Sequence, residues 1–217
     1  MTNWLDNLLT RQPYRSILCL NGDLPDASFF AAYPLPLIAA DGAADALAAR
    51  GLWPDQIIGD LDSVSEALRT RCPTLALPDQ NTSDFQKCLQ WLQAEALLPA
   101  IIVGIQGGAL DHILNNISLF VDTDSLLYAP PLVGFVLSPG KKSLTLPTDT
   151  KLSLLGMPET TLSTRGLKWN LQRDTLCFPG RNSCFNRVAA DSIELDIQAG
   201  QCLTLIYLET TSDAGSE

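Results

Sequence analysis

The chain has 217 residues, 24 Asp and Glu against 14 Lys and Arg, a formal charge of −10, and 46% hydrophobic against 18% charged residues. Such a composition can bury a sizeable core and excludes disorder, and an acidic chain without a basic stripe is a poor partner for nucleic acid, whose phosphates need clustered Lys and Arg. The longest apolar runs, such as 100–104 and 203–208, fall far short of a membrane span, and the opening MTNWLDNLLTRQPYRS lacks the basic start and apolar stretch of a signal peptide, so no membrane partner and a cytoplasmic location are expected.

In chain order, short apolar strand candidates at 16–20, 37–40, 56–58, 74–77, 100–103 and 125–128 alternate with helix candidates at 43–49, 65–71, 82–94 and 112–121. This βαβα rhythm predicts an N-terminal, mainly parallel, Rossmann-like sheet with helices on both faces, where ligands bind beyond the carboxyl ends of the strands. From about residue 132 the pattern changes to eight short β-rich segments at 133–137, 143–146, 151–155, 160–164, 174–178, 187–190, 192–197 and 202–208. Gly, Pro, Asn and Asp separate them, which predicts a C-terminal antiparallel β-sandwich or barrel. Pro130-Pro131 marks the boundary, giving an α/β domain at 1–130, a β-sandwich domain at 131–212 and a tail at 213–217. Six scattered cysteines without a CxxC pair read as reduced, mostly buried thiols, and a single histidine, His112, closes any mechanism that needs two imidazoles.

The charge is unevenly placed. Residues 1–130 hold 15 carboxylates and 6 bases, and 13 of those carboxylates are Asp. Four predicted strands run directly into acidic turns: Asn21-Gly22-Asp23, Asp41-Gly42, Gly59-Asp60-Leu61-Asp62-Ser63 and Pro78-Asp79-Gln80-Asn81-Thr82-Ser83-Asp84. In a parallel sheet these turns leave one edge, so the fold gathers carboxylates where ligands bind. Asp23, Asp45 and Asp79 individually read as helix caps. Asp60-x-Asp62 differs, because two carboxylates two residues apart at a strand end can aim at one hard cation such as Mg²⁺. Asp122-Thr123-Asp124 is a control, since it precedes a strand and should be a turn at the opposite end of the sheet. The fifth strand leads into Gly104-Ile105-Gln106-Gly107-Gly108-Ala109-Leu110-Asp111-His112, a glycine-rich turn at a helix N-terminus of the kind that holds phosphate. It is not GxGxxG, and Gly140-Lys141-Lys142-Ser143 is not a P-loop, which lowers the case for a dehydrogenase or a P-loop NTPase.

Together these pieces resemble the thiamine pyrophosphokinase family over nearly the whole chain. The matching segments are Asp41-Gly42-Ala43, Gly59-Asp60-Leu61-Asp62-Ser63, the run Asp79 to Lys87, and Gly107-Gly108-Ala109-Leu110-Asp111-His112-Ile113-Leu114-Asn115-Asn116. Ser163-Thr164-Arg165-Gly166-Leu167-Lys168-Trp169-Asn170-Leu171 and Ser183-Cys184-Phe185-Asn186 complete the order. The resemblance implies transfer of the diphosphoryl group of ATP to the hydroxyl of thiamine with release of AMP, by a homodimer with active sites at its interface. It implies that Asp41, Asp60, Asp62 and Asp84 hold Mg²⁺ and act catalytically, that Gly107, Gly108, Asp111, His112 and Lys87 serve ATP, and that Gln80, Trp169, Ser183 and Asn186 serve thiamine. Trp169 suits stacking or a cation–π contact, and the three polar residues suit the pyrimidine edge. His112 reads chiefly as an organiser of its turn. One departure stands out: the family's Arg before the x-Asp-His is Ala109 here, with Lys87, Arg165 and Lys168 as cations able to replace it. Ala109 leaves open an alternative, a non-catalytic thiamine or nucleotide sensor; a third reading is a nucleotide-binding α/β protein acting on another alcohol.

Overall fold

The computed structural model describes residues 3–10 and 12–208. The expected tail, 213–217, lies outside them. The described residues divide into two compact units, 9–129 and 3–8 with 130–208, so residues 3–8 group with the C-terminal part.

The first unit is built on six parallel strands, β1 (Ser16–Cys19), β2 (Leu37–Ala40), β3 (Gln56–Gly59), β4 (Thr74–Ala76), β5 (Ala100–Val103) and β6 (Leu126–Ala129), in the order β6-β5-β1-β2-β3-β4. Every residue of β1, β2 and β5 is buried, which is why these strands read as continuous apolar runs instead of alternating ones: both faces are covered. The order reverses at β1, which pairs with β2 on one side and β5 on the other. A crevice beyond the carboxyl ends follows from that reversal.

The crossovers carry α2 (Ala27–Ala32), α3 (Ala43–Ala48), α4 (Glu66–Arg71), α5 (Asp84–Ala94) and α6 (Leu110–Phe120), while α1 (Asn3–Leu9) precedes β1. Neither α1 nor α2 is evident in the sequence. α2 has six residues and no side-chain cap; packing holds it, with Phe29 stacked on Tyr128 at 4.2 Å between ring centroids and Phe30 buried. α5 starts at Asp84 instead of Thr82 because Ser83 and Gln86 form a reciprocal capping box and Thr82 is drawn to the Asp79 carboxylate. The control segment at 122–124 is a turn, closed by Thr123 N–H donating to Phe120 O at 2.9 Å.

The second unit is antiparallel, but its eight expected segments form six strands: β7 (Leu132–Leu137), β8 (Gly140–Leu144), β9 (Lys151–Arg165), β10 (Asp174–Cys177), β11 (Ser183–Arg187) and β12 (Ile193–Tyr207). Two pairs of segments fuse into the 15-residue strands β9 and β12, which run through positions that look like breaks in the sequence. β12 does so by shifting register between Ile197 and Ala199 and again between Gly200 and Cys202. Gly200 makes the second shift possible, with φ 74° and a Cβ position only 2.0 Å from Glu159 O. Because β9 and β12 are this long, each serves two leaves, β7-β12-β9-β11 and β8-β12-β9-β10. β11 sits upstream of the expected 187–190 segment and contains a bulge between Ser183 and Asn186. All six cysteines are free thiols; Cys19, Cys72, Cys88 and Cys202 are buried, and burial pushes the thiol pKa of Cys19, Cys88 and Cys202 up. No helix among the described residues is long and apolar enough to cross a membrane.

Candidate active site

β2, β3 and β4 end at one edge of the parallel sheet. β2 delivers Asp41, β3 delivers Asp60 and Asp62, and the turn after β4 leads to Asp84, the first residue of α5. Two non-glycine residues take left-handed backbone here, Asp41 with φ 43° and Leu61 with φ 66°. Such strain is held by its surroundings and clusters at functional sites. One carboxylate oxygen from each of Asp41, Asp60 and Asp62 lies within 4.8 Å of the others.

Fixed contacts orient this trio. Gln80 Nε2 donates to Asp60 Oδ2 at 2.9 Å, and the Asp62 backbone N–H donates to Asp60 Oδ1 at 3.2 Å. Those two bonds, the Gln80 one foremost, hold the Asp60 carboxyl below its ordinary pKa. Ser63 Oγ donates to Asp62 Oδ1 at 2.9 Å and also lies close enough to Asp41 to oppose the rise in its pKa. Asp41 itself is buried, and its Oδ1 has no hydrogen-bond partner among the described residues. Burial, then the neighbouring Asp84 and Asp60 charges, push the Asp41 carboxyl above its ordinary 3.8. A buried carboxylate oxygen without a donor is costly unless a cation satisfies it. Three hard oxygen donors at this spacing, one of them orphaned, fit Mg²⁺.

Asp84 stands beside the trio without joining it. A methyl placed on Gly59 would lie 3.2 Å from Asp41 Oδ1 and 3.2 Å from Asp84 Oδ1, so glycine here keeps two carboxylates close. Asp84 Oδ1 accepts from the buried Lys87 ammonium at 3.0 Å. A buried Lys needs such a partner, so Lys87 serves first as counter-ion of the acidic group. Asp79 closes its own turn, accepting from Asn81 N and Nδ2 at 3.1 and 2.8 Å. Asp45 accepts from Ser65 N at 3.0 Å, where α4 begins. Gly107 and Gly108 are exposed in the turn before α6, whose N-cap, Ala109, offers no side-chain acceptor to the first-turn N–H groups. Asp111 and His112 are exposed in that first turn, and Asp111 Oδ1 accepts from His112 N at 2.9 Å. Ser63 and Gly59 were legible only as members of a motif; their roles come from adjacency to Asp41, which follows the preceding strand, β2.

Charge removal at Asp41 has a predictable sign. In the metal-free protein the ionised form of a carboxyl with a raised folded pKa costs stability above that pKa, and the cost disappears as pH falls toward the unfolded value. Asn tolerates the left-handed backbone equally well. Asp41→Asn therefore raises the melting temperature of the metal-free protein at pH 7 by roughly 2–4 °C per kcal/mol gained, with a gain of about 1 kcal/mol expected. Thermal scans without Mg²⁺ check it, and the difference from wild type should shrink toward pH 4.

The second unit has a cleft of its own of about 250 Å³ between the 167–171 loop and β11, whose lining includes Trp169, Asp174, Arg181, Ser183, Cys184 and Asn186. Trp169 is 55% exposed, with Lys168 Nζ 4.9 Å from its ring centroid. Asn186 is buried, and its amide is bonded to the Trp169 backbone and to Ser183 Oγ.

Two family sequence models match, one described as "Thiamin pyrophosphokinase, catalytic domain" over residues 35–126 and the other as "Thiamin pyrophosphokinase, vitamin B1 binding domain" over residues 143–202. The chain belongs to the thiamin pyrophosphokinase family. The first match contains all four Asp of the acidic group, and the second contains Trp169, Ser183 and Asn186. Thiamine pyrophosphokinase 3 of Oryza sativa subsp. japonica is 28% identical over 166 residues, 66% of this chain and 62% of that protein. Thiamin pyrophosphokinase 1 of Caenorhabditis elegans is 26% identical over 178 residues, 73% of each. The chain thus spans about three fifths to three quarters of the length of these relatives. Among solved structures, yeast thiamin pyrophosphokinase superposes with a TM-score of 0.81 at 20% identity, covering 94% of this chain and 90% of that one. The Candida albicans thiamin pyrophosphokinase gives 0.79 at 15% identity, covering 90% and 89%. At these identities the likeness concerns the fold.

Proposed function

We propose that this protein is an ATP:thiamine diphosphokinase, transferring the β,γ-diphosphoryl group of ATP to the hydroxyl of thiamine to give thiamine diphosphate and AMP. The observation that carries the reading is the trio Asp41, Asp60 and Asp62 around a buried, unpartnered Asp41 oxygen, in a chain of this family. In the reaction the hydroxyl oxygen bonds to the β-phosphorus, the bridging oxygen leaves with AMP, and the hydroxyl proton passes to solvent. Mg²⁺, when bound by Asp41, Asp60 and Asp62, neutralises the polyphosphate and the charge that develops on transfer.

The chain's own residues do the positioning. Gln80 and Ser63 hold Asp60 and Asp62 in place, Lys87 offsets the charge of Asp84, and the Gly107-Gly108 turn offers backbone N–H groups at the start of α6 for phosphate. With Ala109 in place of Arg and Lys87 already paired, that turn and the metal carry more of the phosphate binding. Trp169 supplies a face for the aminopyrimidine or the thiazolium. We further propose a homodimer with active sites completed at the interface, a reading supported by Leu110 and Leu114, which are 70% and 46% exposed one turn apart on α6.

The direct test is incubation of purified protein with thiamine, ATP and Mg²⁺. Equimolar AMP and thiamine diphosphate are expected. Release of ADP, or no product, sinks the reading. Thermal stabilisation by thiamine without turnover selects the sensor alternative that Ala109 suggests.

A further inference from the structure

The turn after β1 lies between the two places at which a polyphosphate would be held. In the order β6-β5-β1-β2-β3-β4, the Gly107-Gly108 turn follows β5, Asp41 follows β2, and Asp60 and Asp62 follow β3. Neighbouring strands are about 4.8 Å apart, so the glycine turn and the acidic trio are separated by about 10 to 14 Å, and a ligand that touches both must cross the carboxyl end of β1. The chain there reads Leu20-Asn21-Gly22-Asp23.

The backbone of this turn is fixed on its β5 side. Leu20 N donates to Val103 O at 2.9 Å, Gly22 N to Leu20 O at 2.9 Å and Asp23 N to Gln106 O at 2.7 Å. Gly22 has no room for a side chain, since a methyl on it would lie 2.1 Å from Gln106 O and 2.4 Å from Gly104 O. The Asp23 carboxylate carbon lies 2.3 Å from where a methyl on Gly107 would sit, so that flank of the glycine turn is negative and turns a phosphate towards Asn21. The Asn21 side chain is on the β2 side. Its Nδ2 is 3.1 Å from the position of a methyl on Gly42, the residue after Asp41, and Ser63 Cβ is 3.3 Å from the same point. Asn21 is exposed, and its amide has no hydrogen-bond partner among the described residues. Side-chain amides orient in the local field, and the carboxylates nearby favour the N–H end facing them. The result is a free donor on a turn built before any ligand arrives.

We propose that Asn21 is a phosphate-binding residue, whose Nδ2 donates to an oxygen of the diphosphoryl group where it spans from the glycine turn to the cation on Asp41, Asp60 and Asp62. The assignment deepens the diphosphokinase reading and rests on it. It supplies part of the grip that Ala109 lacks, and residue type explains why an amide stands here. A neutral amide bonds a phosphate oxygen and leaves the metal-holding carboxylates ionised and free. A Lys or Arg at the same place would pair with Asp41 instead, as Lys87 does with Asp84.

The test is calorimetric titration of the full-length protein, without thiamine, with Mg²⁺ alone and with Mg–ATP, beside thermal scans. Asn21→Ala should melt as wild type, bind Mg²⁺ as wild type and bind Mg–ATP about tenfold more weakly, the scale of one hydrogen bond to a charged group. Asn21→Asp keeps the shape and an oxygen but replaces the donor by a charge. It should bind Mg²⁺ alone more tightly than wild type, and Mg–ATP no more tightly than Asn21→Ala does. Wild-type Mg–ATP affinity in Asn21→Ala overturns the assignment, and so does a lowered melting temperature, which would make the residue structural. Wild-type Mg–ATP affinity in Asn21→Asp, or equal losses for Mg²⁺ and Mg–ATP in Asn21→Ala, would make Asn21 a ligand of the cation through Oδ1 and overturn the donor role. Failure of wild type to bind Mg–ATP overturns this assignment and the parent reading together. Mg–ATP binding that responds to Asn21 as expected, with no AMP formed when thiamine is added, removes the parent reading alone and leaves Asn21 as a nucleotide-phosphate ligand.

Discussion

Replacing Asp60 and Asp62 together by Asn is expected to reduce formation of AMP and thiamine diphosphate by roughly 10³-fold or more, the scale of charge stabilisation that a bound metal supplies. The melting temperature of the metal-free protein should fall only slightly, by the small stabilisation that the Gln80 and Asp62 N–H bonds give to ionised Asp60. The loss of activity follows from the geometry: Asp60, Asp62 and Asp41 present like charges within 4.8 Å of one another, where a cation can bridge them, and the contacts from Gln80, Ser63 and the Asp62 N–H orient the carboxylates without neutralising them. Isosteric Asn keeps the shape and removes the charge. Product assays together with thermal scans at 0 and 5–10 mM Mg²⁺, taken as about the working range for a weakly held cation, separate the roles. Loss of activity with loss of Mg²⁺-dependent stabilisation is the expected pair. A sharp drop in metal-free stability would instead mark the two residues as structural. The double change Asp122→Asn, Asp124→Asn is the matched control. It carries the same Asp-x-Asp spacing in a turn that precedes β6 instead of following a strand, and should leave both readouts unchanged.

Gly59→Ala should have the second largest effect, through space and not through charge. The added methyl would sit 2.8 Å from Asp41 Cβ and 3.2 Å from the Oδ1 atoms of both Asp41 and Asp84. Something must move, and the neighbours are a buried residue with a strained backbone and a carboxylate paired to a buried Lys. Overpacking of this kind costs about 1–3 kcal/mol, and a domain of this size loses about 2–4 °C in melting temperature per kcal/mol. Because the displaced atoms belong to the acidic group proposed to hold Mg²⁺, a Mg²⁺-induced rise in melting temperature should vanish as well. A variant with wild-type melting temperature and an intact Mg²⁺ response would show that Asp41 and Asp84 do not need their present separation.

The parallel half was largely legible in the sequence. β2 and β5 fall at the expected bounds because strands buried on both faces must be short apolar runs, and few other local structures use such runs between turns. The convergence of Asp41, Asp60, Asp62 and Asp84 was legible for the same reason: in a parallel sheet every strand-end turn leaves the same edge. α2 escaped notice because its stability comes from Phe29 on Tyr128, about 100 residues away, and not from a capping or periodic signal. In the antiparallel half, Gly156, Pro158 and Gly200 read as breaks, whereas β9 and β12 pass through them because register shifts absorb the irregular residues.

The sequence by itself determined the order of elements in the first unit, the identity of the acidic turns, the poverty of cations and the family resemblance, all of which are local or additive properties of the chain. Only the tertiary structure decided which polar groups remain available once neighbours have taken their share. Asp41 retains a buried oxygen without a partner, Lys87 is already committed to Asp84, and Asn186, whose residue type suits substrate binding, has all four bonding positions occupied by Trp169, Ser183 and Arg187. Hydrogen-bond capacity is finite and is filled by whichever groups the fold brings within 3 Å or so, and residue type alone does not say which those are.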